Sequence, residues 1–367
     1  MARVFIDGFE GGDFMSQYTA TPYSSGAVAV YSATQAGTAW KSGETFSAPA
    51  RGSYVAFMRY PGSYLDLDIY PDFVGILNIL HVKFRYQTST SGTTGSDALL
   101  KFINGSGLTM TTVGLVNNYL AIWKGEVSTP TLVELSSSLI PKNTWACIEV
   151  AVAINSYGSG TGTYKVYRDG TQVLGGTADI NGASSGIPSI QTLQFGLSGT
   201  GSTDTAAIDD IVVDDTNSTA SMVIGTSYVS ALYPNANSVN AWGLSNSAQA
   251  VYLHVNEAPA DDTDYLYTSG VNVEFDLGLD NPLSTINPVK NLQAQYRVIK
   301  YGSPSCSSVE PFLRNTTGYG MSGVNKTVPS SMKTVCHIWP SRPTAMGGGS
   351  WYSTNMGAVR IGLKSKG

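Results

Sequence analysis

The chain has 367 residues, of which 42% are hydrophobic and 13% charged, with 40 glycines and 21 tyrosines. An apolar share of that size excludes a disordered chain, and the length exceeds what one core usually spans, so two domains are expected. The net charge is −5. The basic residues stand singly among Gly, Ser and Thr, which excludes the clustered basic surface of a nucleic-acid binder.

The opening Met1-Ala2-Arg3-Val4-Phe5-Ile6-Asp7-Gly8 lacks the apolar run of a secretory signal. The longest apolar run, 73–84, is interrupted by Asn78 and His81 and is too short to span a bilayer. A soluble protein made in a cytoplasm, with no membrane partner, is the expectation.

Period-two alternation then recurs along the chain. It predicts strands over 53–60, 64–69, 80–86, 97–103, 118–124, 145–154, 163–168, 171–174, 190–197 and 207–213. In Leu80-His81-Val82-Lys83-Phe84-Arg85-Tyr86 the apolar residues share one face, which puts His81, Lys83 and Arg85 toward solvent. The segment 162–173 contains Arg168-Asp169-Gly170-Thr171, a strand, an Asp-Gly turn and a return strand. Ala207-Ile208-Asp209-Asp210-Ile211-Val212-Val213 reads as a buried strand with an acidic pair set into it. The polar stretch 216–221 marks the domain boundary, giving domains at 1–215 and 222–367. Further strands are predicted at 250–255, 271–277, 292–300, 308–314, 333–339 and 357–363. No amphipathic helix is found. The fold class is all-β, with two β-sandwich domains.

Charge is unevenly spread. Residues 1–280 hold 25 acids and 11 bases, a net of −14, whereas 281–367 hold Glu310 and ten bases, a net of +9. The plain reading is a solvated basic face. The sharper one is a docking surface for an acidic partner, carried by Lys290, Arg297, Lys300, Arg314, Lys326, Lys333, Arg342 and Arg360. Of the three cysteines, Cys147 reads as a buried small hydrophobe, and a bridge between Cys306 and Cys336 is left open.

Several patterns bear on chemistry. Tyr119 and Trp123 share a sheet face, as an aromatic platform for a sugar would, while the plainer reading places both inside the core. Glu274-Phe275-Asp276 and Asp66-Leu67-Asp68 lack the carboxylate spacing of a retaining glycosidase strand. Gly318–Thr327 departs from a phosphate loop by its spacing and context. His337 beside Cys336 points to the opposite face and reads as structural. A chain without enzymatic activity is expected.

Trp145 with Ile148-Glu149-Val150, the Tyr164–Gly170 hairpin, Leu193-Gln194-Phe195-Gly196 and Ile208-Asp209-Asp210-Ile211 together resemble the concanavalin A-like lectin and laminin-G jelly-roll superfamily. Phe5–Glu10, Ala231–Asn235, Trp242 and Val255–Pro259 look like segments of tailed-bacteriophage virion proteins that carry such domains. The resemblance implies a jelly-roll first domain and a structural role in a virion, on head or tail, by protein–protein assembly. The partners implied are other virion proteins and further copies in a closed homo-oligomer, after synthesis in the host cytoplasm. A glycan-binding adhesin recognising a host or environmental glycan is the alternative, and a polysaccharide hydrolase the third reading. In the resembled fold the first and last strands lie near one another. Asp7, Asp209 and Asp210 are therefore candidates for a structural Ca²⁺, the only cofactor considered; the plainer reading has them capping strands and turns.

Overall fold

The computed structural model describes residues 2–9, 18–21, 28–32, 54–59, 63–69, 79–88, 95–126, 131–156, 158, 161–184, 189–199, 205–215, 229, 232–245, 250–255, 264–280, 292–301, 306–315, 320–339, 356 and 358–367. The chain divides into two units, Met1–Val229 and Ser230–Gly367. The stretch 216–221, where the sequence suggests a boundary, lies outside the described residues.

Alternation of apolar and polar residues makes the first unit a pair of antiparallel sheets. Its strands are β1 (Ala2–Asp7), β2 (Tyr18–Thr21), β3 (Val28–Ser32), β4 (Tyr54–Arg59), β5 (Ser63–Asp68), β6 (Ile79–Thr88), β7 (Ser96–Asn104) and β8 (Thr109–Val116). They continue with β9 (Tyr119–Lys124), β10 (Thr131–Leu139), β11 (Ala146–Ala153), β12 (Gly162–Arg168), β13 (Thr171–Ala178), β14 (Ile190–Gly199) and β15 (Thr205–Asp215). One sheet has eight strands in the order β13-β12-β11-β6-β15-β4-β3, with β1 also on β15. The other has seven, in the order β10-β9-β8-β7-β14-β5-β2. Leu80, Val82, Phe84, Ile148 and Val150 line one inner face, and Leu65, Leu67, Phe102, Val113, Leu193 and Phe195 the other; all are buried. Phe84 meets Phe195 edge-on, with ring centroids 5.4 Å apart. The β12–β13 hairpin turns at Asp169 and Gly170, both with positive φ, as a type I′ turn requires.

The face of β6 expected in solvent is covered. His81 and Lys83 are fully buried, and alongside them lie the buried Glu149, Asp209, Asp210 and Asp214. Cross-strand register places Lys83 opposite Glu149 and His81 opposite Asp214. Burial pushes the Lys83 ammonium below its usual range, against the neighbouring Cys147, Asp210 and Glu149, which favour its charged form. The alternation is therefore right about the faces, and a second covered layer overrides the inference of exposure.

The second unit holds β16 (Pro234–Asn240), β17 (Gly243–Leu244), β18 (Leu266–Tyr267), β19 (Glu274–Leu279) and β20 (Leu292–Val298). It goes on with β21 (Ser308–Asn315), β22 (Gly320–Ser322), β23 (Lys326–Thr327), β24 (Lys333–Trp339) and β25 (Val359–Lys366). A six-stranded sheet runs β16-β19-β25-β21-β22, with β23 on β21; β17–β18 and β20–β24 form separate ladders. Leu279, Leu313 and Val359 of the large sheet pack with Leu292, Ala294 and Trp339 of the β20–β24 ladder, giving a second sandwich. The segment 250–255, expected as a strand, forms a 3₁₀ turn at Val251–His254. Its three-residue period buries Val251 and exposes Leu253 and Val255, which a strand would have placed together. Cys147, Cys306 and Cys336 are buried, and none of them is joined in a disulfide.

Phe195→Ala should lower the stability of the first unit by about 3–5 kcal/mol, because a fully packed aromatic leaves a cavity that the sheets cannot close. Urea denaturation of the full chain measures it.

Candidate functional site

The outer face of the seven-stranded sheet carries a polar row that crosses from strand to strand. Gln194 on β14 pairs in register with Asp66 on β5 and with Lys101 on β7. Lys101 pairs with Thr112 on β8, and Thr112 with Trp123 on β9. Paired residues share a face, so the five side chains lie in one line across five strands. A second row beside it holds Asp68, Thr192, Ile103 and Thr109.

The row is tied together by hydrogen bonds. Gln194 donates through Nε2 to Asp66 Oδ1 at 2.9 Å. Lys101 Nζ lies 2.8 Å from Glu126 Oε1, and Thr109 Oγ1 donates to Glu126 Oε2 at 3.2 Å. Glu126 follows the end of β9 and is placed by a close backbone approach. The N–H groups of Gly125 and Gly182 both donate to Met110 O at 2.8 Å. A Cβ on Gly182 would lie 2.3 Å from the Gly125 Cα, so only glycine allows the two chains to meet there. Thr112 Oγ1 donates to the Gly125 carbonyl at 2.6 Å and fixes the same turn.

Exposure varies along the row. Lys101, Thr112 and Trp123 are buried, whereas Tyr64, Asp66, Thr192 and Gln194 are half-buried and Asp68 is exposed. Burial pushes the Asp66 carboxyl above its usual range, opposed by the Gln194 hydrogen bond and the Lys101 charge. The open end thus offers a carboxyl, an amide and hydroxyls, a mixed set of donors and acceptors.

The sugar-platform candidates separate. Tyr119 is 38% exposed at the start of β9, but Trp123 is only 2% exposed, packed with Ala98 and Ala121. They do not form a shared aromatic surface, and Trp123 is corrected to a core residue. The residues that sequence reading passed over are Gln194, Lys101 and Glu126. Gln194 belongs to a segment read only for its fold resemblance, and nothing local links Lys101 to Glu126, which follows a different strand.

The candidate metal ligands are all buried. Asp7 Oδ1 accepts the Phe9 N–H at 2.8 Å, and Asp209 Oδ1 accepts the Asp210 N–H at 2.7 Å. Asp210 occupies a bulge with φ of +52°. Its two oxygens receive the Val229 N–H at 2.7 Å and Arg85 Nε at 2.8 Å. Burial pushes its carboxyl up, against the Val229 hydrogen bond and the Arg85 charge. Among the described residues, no group of three His, Cys, Asp or Glu side chains is arranged to hold a metal. Asp210 is paired with Arg85 and the Val229 N–H.

The basic docking surface is also revised. Counted over 230–367, the second unit holds ten bases and eight acids, a net of +2, because the acids between 257 and 280 belong to it. Arg314 reaches Glu274 at 2.7 Å and Asp276 at 2.8 Å, Lys364 reaches Glu274 at 2.9 Å, and Arg360 lies 3.8 Å from Asp276. Lys366 pairs with Glu310. Arg314 and Arg360 are therefore engaged within their own sheet. Arg297 and Lys333 are exposed, Lys300 and Lys326 are half-buried, and Lys290 and Arg342 lie outside the described residues.

No family model matches the chain. No curated protein matches it. Similar solved structures include an endo-β-1,4-glucuronan lyase from the fungus Trichoderma reesei, at 15% identity and a TM-score of 0.41, covering 59% of this chain and 96% of that one. Domain 4 of an extracellular arabinanase, AbnA, from Geobacillus stearothermophilus, solved with arabinotriose, matches at 15% identity and 0.39, covering 58% and 92%. An alginate lyase from Aplysia kurodai matches at 10% identity and 0.39, covering 59% and 100%. The expectation of a chain without enzymatic activity is corrected on this comparison: similar structures include polysaccharide lyases, and the exclusion is withdrawn. Scores of this size transfer no reaction, ligand or residue to this chain. The virion role draws no support from these matches.

Trp123→Ala should cost about 3–5 kcal/mol of stability, whereas Tyr119→Ala should stay within about 0.5 kcal/mol, as measured by chemical denaturation. Arg314→Ala leaves the fully buried Asp276 without its nearest cation and should destabilise the second unit by on the order of 3 kcal/mol. Faster hydrogen exchange across β19, β21 and β25 would report it.

Proposed function

We propose that the first unit binds a glycan on the open end of its polar row. The observation that carries this reading is the hydrogen-bonded Asp66–Gln194 pair, half-exposed beside Lys101 on a sheet face whose other end is buried. Vicinal sugar hydroxyls each donate and accept, and a carboxyl next to an amide presents both functions at fixed spacing. Tyr64, Asp68 and Thr192 extend the contact set along the neighbouring outward positions. The strands hold these groups rigidly, which lowers the ordering cost of binding a flexible polymer.

The unit's charge selects the ligand class. Residues 1–229 hold 18 acids and 11 bases, a net of −7, and both carboxylates at the open end repel polyanions. A neutral glycan fits and an acidic one does not.

Affinity electrophoresis of the full chain through gels cast with dextran, soluble xylan, galactomannan or hydroxyethylcellulose tests the reading. Retardation by at least one polymer is expected, with Gln194→Ala weakening it by up to about tenfold, the upper end of what one lost hydrogen bond between neutral groups contributes. Equal retardation of the wild type, Gln194→Ala and Asp66→Asn would refute it.

A further inference from the structure

A second exposed feature stands in the other unit and is independent of the polar row. At the β17–β18 ladder, Tyr265, just before β18, is 51% exposed and Tyr267 is 56% exposed. Between them Leu266 turns inward and packs on the cluster of Phe275, Leu277 and Leu363. The alternation of a strand therefore puts both tyrosines on the outward face, with ring centroids 6.3 Å apart and planes inclined by 60°.

The Tyr267 ring is supported from behind. A Cβ on Gly243, its register partner, would fall 2.5–2.9 Å from three ring carbons. The ring thus lies against bare backbone, which closes one face and leaves the other toward solvent. The ladder beneath is held by Ser245: its N–H donates to the Tyr265 carbonyl at 3.0 Å, and its Oγ accepts the Tyr265 N–H at 2.9 Å. Both rings are consequently anchored at the backbone, before any ligand arrives.

We infer that Tyr265 and Tyr267 form a glycan-binding platform in the second unit. A pyranose ring has an apolar face of C–H groups that packs on an aromatic face, while the phenol hydroxyls meet its polar edge. Two ring faces match one or two sugar units. They fall far short of the roughly 800 Å² per partner that a stable protein interface buries, which disfavours a protein occupant.

The test uses the full chain in the same four polysaccharide gels, with Tyr265→Ala/Tyr267→Ala and Gly243→Ala each made in the wild-type and Gln194→Ala backgrounds. The double tyrosine variant should weaken retardation by about tenfold in both backgrounds. Gly243→Ala keeps both tyrosines but lifts the Tyr267 ring from its seat, and should weaken retardation in the same direction. Retardation unchanged by all these variants yet lost in Gln194→Ala would overturn the platform and leave the first-unit reading standing. A wild-type chain that none of the four polymers retards, or a double variant whose only change is in self-association by sedimentation, would also overturn it.

Discussion

Gln194 stands opposite Asp66 on one side and Lys101 on the other, and the polar face depends on that double register. The same pairing sets Leu193 and Phe195 into the core beside Leu65, Leu67, Leu100 and Phe102. A slip of one residue would bury the amide and expose the phenyl ring. Core packing and site geometry are thus one constraint. The hydrophobic face pins the register, and the register aligns side chains contributed by five strands.

Charge is treated differently in the two units. In the first, charged groups sit in a covered layer where Arg85 meets Asp210 and Lys83 faces Glu149 across strands. Such groups tolerate burial only because partners stand in register. In the second, Arg314, Arg360 and Lys364 lace one sheet face to Glu274 and Asp276. Those pairs engage three of the ten bases that the linear sequence displays near its end, and a fourth, Lys366, meets Glu310.

The exposed aromatic and polar positions follow the same logic at smaller scale. Tyr267 is oriented because a glycine lies under it, and Glu126 because two glycine backbones touch beside it. In each case the functional group is ordinary, and the absence of a side chain elsewhere determines where it points.

Strands such as 333–339 and the Asp169-Gly170 hairpin were legible in the sequence, because alternation and turn chemistry act between near neighbours. The all-β class and the separation of apolar from polar faces along β6 follow for the same reason. The sequence does not disclose which polar faces remain open. His81 and Lys83 alternate as solvent residues do and are buried, and Trp123 alternates with Tyr119 yet lies in the core. Nor does it place Gln194 beside Asp66, 128 residues away, or Arg314 beside Asp276. Periodicity reports on which side of its own strand a residue lies. What covers that side, and which distant strand stands next to it, is decided only when the sheets assemble.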